Sequence, residues 1–143
     1  MTTRNFNDVS PRKKPEAPPE VLHGYHIHIY FEAGKDSEKN AKKVLADIEE
    51  KFPGKLKNIH RVGIVGPHLQ PNFGSYLPPD DFGKVVGWLQ RHSEGLSILV
   101  HPITDDELKD HRDNALWLGK PVPLDISFFE PPQPAAPKGP TLQ

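Results

Sequence analysis

His26 and His28 are separated by one residue in the run Tyr25-His26-Ile27-His28-Ile29-Tyr30-Phe31. On an extended strand, positions i and i+2 share a face and lie ~6.5–7 Å apart along the chain. Two imidazoles can close that gap onto one metal ion. Neutral imidazole suits Zn, Fe, Cu and Ni, and a third ligand such as His101 would leave open positions for water, substrate or dioxygen. Taken alone, His-Ile-His is a weak signal, because any alternating strand with a polar face can produce it by chance. Its weight depends on whether the fold carries His101 to the same face. His68 stands in the loop Gly66-Pro67-His68, where neither sheet nor helix periodicity accounts for it; a solvent-facing loop residue is the alternative. His111 follows Asp110, a carboxylate able to orient an imidazole or supply an oxygen ligand; otherwise it is an exposed helical histidine. His23, His60 and His92 show no such convergence and read as surface residues. Trp88 and Trp117 read as core or rim packing.

The chain has 143 residues, with 17 prolines, eight histidines and no cysteine. Lack of cysteine excludes disulfide frameworks, thiolate zinc sites, iron–sulfur clusters and a thiol nucleophile, and fits a reducing compartment. With 18 Lys+Arg against 19 Asp+Glu and a net charge of −1, nothing favours nucleic acid as a partner. No apolar run approaches the ~20 residues of a membrane span, and the N-terminus lacks the apolar core of a secretory signal. The expectation is a soluble, cytoplasmic protein with no membrane partner. Nine of the 17 prolines fall in residues 1–20 and 130–143, whereas all eight histidines lie between His23 and His111. This division predicts disordered Pro-rich tails at 1–21, which includes the basic cluster Arg12-Lys13-Lys14, and at 130–143. A single domain spans 22–129.

Within that domain, Tyr25, Ile27, Ile29 and Phe31 alternate with His26, His28 and Tyr30, the mark of a strand with one polar face. Asp36 and Ser37 offer N-cap oxygens to a helix whose apolar stripe is Ala41, Val44, Leu45, Ile48 and Phe52, ended by Pro53-Gly54. Ile59 to Val65 reads as a second strand and Phe73 to Leu77 as a short third. Pro78-Pro79-Asp80 opens a helix carrying Phe82, Val85, Val86 and Leu89. Leu96 to Val100 forms a fourth strand, with His101 on the face of Ser97 and Leu99. Thr104 and Glu107 form a capping box for a third helix that Gly119 and Pro121 end, and Leu124 to Phe129 adds a last short strand. The order β-α-β-β-α-β is the split arrangement of ferredoxin-like folds, an α+β class with an antiparallel sheet and helices on one face. A short extra C-terminal helix is appended. In that topology the first strand runs antiparallel beside the fourth, so His26, His28 and His101 emerge together on the open face.

The motifs Tyr25–Phe31, Gly66-Pro67-His68, Leu96-Ser97-Ile98-Leu99-Val100-His101-Pro102, Asp110-His111, Ala115-Leu116-Trp117-Leu118-Gly119 and Pro123-Leu124-Asp125 resemble the DOPA 4,5-dioxygenase family. These are small fungal and bacterial enzymes that cleave aromatic rings. The similarity covers nearly all of residues 22–129 in order and with compatible spacing. It implies a ferredoxin-like domain and extradiol cleavage of a catechol such as DOPA, a 4,5-cleavage to a seco-DOPA, with dioxygen as co-substrate. The implied cofactor is non-haem Fe(II), with Zn or another divalent ion able to take its place in a purified sample. The family's histidine motifs fall on His26, His28, His68, His101 and His111. The chain departs from the pattern at Leu69, Ile103 and Asp105, which bears on the identity of the substrate more than on the reaction class.

From these readings His26, His28 and His101 are the expected metal ligands, and His68 and His111 the expected acid–base or substrate-orienting groups. Tyr30 shares the parity of His26 and His28 and is expected, with Asp110, to bind substrate. Asp110 and Glu32 are also candidates for a carboxylate ligand. By topology His68 starts at the sheet end opposite His101, so either a long loop returns it or it completes the site of a second subunit. An exposed sheet face bearing Leu99 would favour a homodimer. The competing reading is a non-catalytic ferredoxin-like module that binds a metal or a small aromatic ligand.

Overall fold

In the computed structural model, which describes residues 21–130, the alternating run forms strand β1 (Tyr25–Tyr30), with Ile27 and Ile29 fully buried. Helix α1 (Asp36–Lys51) lays Ala41, Val44 and Ile48 into the same apolar cluster. Strands β2 (Lys57–Val62) and β3 (Asn72–Leu77) follow, and a 3-10 turn (Pro79–Asp81) leads into α2 (Phe82–Arg91). After β4 (Ile98–Pro102) come α3 (Glu107–His111), β5 (Leu116–Leu118) and a closing 3-10 turn (Ile126–Phe129). The sheet order is β2-β3-β1-β4-β5 and every pairing is antiparallel. This is the α+β ferredoxin-like arrangement with β1 central, extended at one edge by β5. Val85, Val86 and Leu89 of α2 join α1 over Ile27, Ile29, Ile98 and Val100, so both long helices cover one face. Each such aliphatic side chain contributes ~1.5–3 kcal/mol on burial. A one-residue slip of β1 would exchange those isoleucines for histidines, so the core holds the strand's parity.

Several local expectations change. The N-cap of α1 is Lys35, not Asp36 or Ser37; Ser37 Oγ instead accepts from Glu32 N–H and Glu38 Oε1 from Gly34 N–H. Strand β2 ends at Val62 rather than Val65, and β4 runs two residues further than the Leu96–Val100 reading, taking in His101. The third helix is only five residues long. Its cap is Asp106, which accepts from Lys109 N–H, while the Thr104 hydroxyl donates to Asp110 Oδ1. Leu116–Leu118 is a strand rather than the end of a helix, because it supplies backbone partners to the outer edge of β4. The strand expected at Leu124–Phe129 is reduced to one bridge, His68 to Leu124, and the 3-10 turn.

Leu99 does not lie on an open face: it is fully buried, with Trp117 of β5 opposite it in register. The apolar patch that argued for a homodimer is therefore covered within the chain. The Pro-rich tails, with Arg12, Lys13 and Lys14, lie outside the described residues apart from Val21 and Glu130. Among the described residues, no helix is long and apolar enough to cross a membrane.

Strand β5 depends on Gly119, whose φ of 72° is left-handed and where a Cβ would stand 2.5 Å from Leu96 O. Gly119→Ala should destabilise the fold by on the order of 2 kcal/mol, from backbone strain and the clash together. Urea denaturation checks this, and an unchanged midpoint would mean that β5 is not held against the Leu96 backbone.

Candidate metal centre

The register of β1 on β4 pairs His26 directly with His101 and His28 with Leu99. Residues opposite each other on antiparallel strands share a face, so the two histidines of β1 and the one of β4 converge. Each offers a ring nitrogen, and the three nitrogens lie within 4.8 Å of one another. His28 and His101 are buried, at 8% and 3% exposure, and His26 is half-buried.

Hydrogen bonding sets the tautomers of the two buried rings. Nδ1–H of His28 donates to Asn72 Oδ1 at 2.9 Å. The Asn72 amide is itself oriented, since its Nδ2 donates to Gln70 O. Nδ1–H of His101 donates to Pro102 O at 2.8 Å. Both rings therefore present Nε2 as a lone pair, and both Nε2 atoms are buried without a hydrogen-bond partner among the described residues. A buried polar atom in that condition costs ~1–3 kcal/mol. An imidazole fixed by a carbonyl at one nitrogen and free at the other is the donor arrangement of a metal ligand. The residues present thus fit a divalent ion bound by imidazole.

Two further imidazoles flank the triad. The loop 63–71 returns over the sheet and places the His68 ring 4.4 Å from that of His28. Gly66, at a left-handed φ of 62°, makes the turn; Pro67 O accepts from Asp125 N–H, and His68 bridges to Leu124. His68 Nδ1 shares a 2.8 Å hydrogen bond with the buried Tyr30 hydroxyl. Burial raises the ionisation of that phenol well above its ordinary range, so it stays protonated. His111, at the end of α3, donates Nδ1–H to Glu107 O. Its ring lies 3.8 Å from that of His101 and stacks on Phe129.

Crowding and burial keep these rings neutral. Desolvation, and next the adjacent His68, lower His28 to about 3. Desolvation, with smaller effects of His111 and His26, lowers His68 to about 4. His26, His101 and His111 are likewise lowered, first by burial. Neutral imidazole is the form that binds a metal.

The structure brings together five of the seven residues singled out from sequence, together with Tyr30 through its bond to His68. Asp110 lies elsewhere: it is 2% exposed, and its two oxygens accept from the N–H and hydroxyl of Thr104. It braces the β4–α3 connection that carries His111. Glu32 is exposed and is not among the residues that converge on the triad. A cavity of about 220 Å³ adjoins the triad, opening from His26 and His28 onto Asn58, His60, Gly74 and Tyr76. His60, read from sequence as a surface residue, is exposed and also lines this cavity. Its signal was weak because its neighbours there are set by pairing with β3, not by any local motif.

The sequence profile of the Dopa 4,5-dioxygenase family matches residues 25–128. A protein of Amanita muscaria named DOPA 4,5-dioxygenase is 31% identical over 109 residues, which cover 72% of this chain and 48% of that protein. An uncharacterized 21.2 kDa protein of Botryotinia fuckeliana is 36% identical over 117 residues, covering 74% and 63% respectively. The chain thus spans less than two thirds of the length of these curated relatives. A crystal structure of a candidate dioxygenase from Nostoc punctiforme superposes with a TM-score of 0.66 at 37% identity, covering 75% of this chain and 90% of that one.

Two outcomes follow from the geometry. His26→Ala and His28→Ala should each reduce bound divalent metal at least tenfold, whereas His111→Ala should retain it; elemental analysis after reconstitution reads this directly. Stoichiometric metal in both β1 variants would show that the strand pair holds no ion. In the metal-free protein, the buried imidazoles titrate below the ordinary 6.5. Between pH 6.5 and about 4 the unfolded chain therefore binds more protons than the folded one, and stability falls as pH drops through that window. Urea midpoints of the metal-free protein should decline from pH 7 to pH 4.5, and a His28→Gln variant should show a shallower decline.

Proposed function

This chain belongs to the Dopa 4,5-dioxygenase family, and from that premise we propose that it is a non-haem Fe(II)-dependent extradiol dioxygenase acting on a catechol such as DOPA, by 4,5-cleavage to a seco-DOPA. The observation that supports this most is the imidazole triad with two buried, unpartnered Nε2 atoms. In this reading His26, His28 and His101 would hold the iron. When bound, the metal supplies Lewis acidity toward the catechol oxygens and a redox-active centre for dioxygen.

The chain's own groups do the rest. His111, with Nδ1–H held on Glu107 O, turns Nε2 outward as a base for a catechol hydroxyl proton. Its lowered proton affinity keeps it unprotonated near neutral pH. His68 and Tyr30, joined by their hydrogen bond, orient the substrate oxygens from the other flank. Phe129 and the returning loop limit water around His101 and His28. Of the three departures from the family pattern, Leu69 and Asp105 are exposed, so they leave the imidazole cluster intact.

Anaerobic reconstitution with Fe(II), followed by DOPA and air, tests the proposal. A yellow ring-opened product with matching oxygen uptake is expected. His111→Ala should lower turnover at least tenfold with iron retained, the usual scale of a lost acid–base group. Absence of uptake across a panel of catechols, with iron stoichiometrically bound, would instead favour the non-catalytic binding module.

A further inference from the structure

Resting on the catechol reading above, we propose that the substrate ring occupies a slot floored by Gly74 and walled by His60 and Tyr76, where the missing side chain at Gly74 admits the ring and His60 restricts it to single-ring catechols. Gly74 sits on β3 directly between His28 of β1 and His60 of β2 in cross-strand register. All three therefore point to the same face, and the glycine leaves a gap between two imidazoles. Its backbone does not require glycine, since it is absent from the positive-φ residues. A glycine inside a strand weakens it, and one recurring reason for keeping it is the close approach of a ligand. A Cβ at this position would stand 3.2 Å from Val62 Cγ2 and 3.4 Å from both His28 Nδ1 and His60 Cε1.

Both walls are anchored. The register of β2 on β3 shifts between Lys57 and His60, and Asn58 within that bulge adopts a left-handed φ of 54°. Bulges of this kind re-aim side chains beside sites. Here His60 Nδ1–H donates to Asn58 O at 2.6 Å, which fixes the ring beside Gly74. Tyr76 packs its ring on Gly24, where any Cβ would collide with it, and its hydroxyl donates to His23 O at 2.9 Å. Two fixed aromatic rings beside a bare floor suit a planar aromatic guest, held by offset or edge contacts. The cavity of about 220 Å³ is continuous with His26 and His28, and it is smaller than the ~300–1,000 Å³ that takes a drug-sized ligand. One ring fits with its oxygens toward the triad; a fused second ring meets His60.

The test compares 4-nitrocatechol with the bicyclic 2,3-dihydroxynaphthalene, each titrated anaerobically against the full Fe(II)-loaded chain and followed by its visible spectrum. The wild type should bind the single-ring probe and discriminate against the bicyclic one. His60→Ala lies on the exposed edge strand, so its folding is little affected. It should retain iron, bind 4-nitrocatechol about tenfold more weakly, the scale of one lost aromatic contact, and gain affinity for the bicyclic probe. His60→Phe should restore the wild-type order of preference. Gly74→Ala should weaken both probes. An unchanged ratio of the two affinities in His60→Ala, or unchanged affinity for both probes in Gly74→Ala, with the wild type binding 4-nitrocatechol, overturns the slot alone. Failure of the iron-loaded wild type to bind either probe overturns the catechol reading and the slot with it.

Discussion

Two buried imidazole nitrogens, Nε2 of His28 and Nε2 of His101, have no hydrogen-bond partner among the described residues, and much of the surrounding structure keeps them that way. Each costs stability in the metal-free chain, on the order of 1–3 kcal/mol. The cost is met by ordinary means: a closed apolar face of isoleucine, valine and leucine beneath the sheet, and carbonyl acceptors that hold each Nδ1–H. Register transmits this constraint. Because Ile27 and Ile29 are fully buried, β1 cannot slip by one residue without placing imidazoles in the core. The packing that stabilises the fold therefore also aims His26 and His28.

The site surrounds this pair with more imidazole than a simple polar strand face requires. His68 arrives by a loop clipped to Leu124 and Asp125, and His111 by a five-residue helix braced through Asp110 and Thr104. Neither device adds much apolar burial, and each fixes one ring beside the triad. Fold alone does not specify function, since ferredoxin-like sheets serve many purposes. Here the family match and the imidazole geometry are consistent with each other.

Legibility in the sequence followed how local each determinant was. The alternation of β1 and the helical stripes of α1 and α2 depend on neighbouring residues, and from them the antiparallel placement of His26 beside His101 could be read. Strand β5 could not, because Thr104 and Glu107 resemble a capping box. Thr104 in fact serves Asp110, and the Leu116–Leu118 backbone is claimed by the edge of β4. The burial of Leu99, the return of His68 and the placement of His60 beside Gly74 likewise arise from contacts between distant segments. Asp110, next to His111 in sequence, looked like a site carboxylate; its side chain turns inward to Thr104 because the β4–α3 connection needs both of its acceptors.

The most direct test of the central claim is nitrogen-15 NMR of the histidine rings in the metal-free and zinc-loaded protein. Nδ1–H tautomers are expected for His28 and His101 before loading. On addition of zinc, the Nε2 resonances of both should shift to those of coordinated nitrogen, while the Nδ1–H groups stay in place. Zinc-loaded spectra in which these two Nε2 resonances do not move, or in which the metal instead displaces the Nδ1 protons, would contradict it.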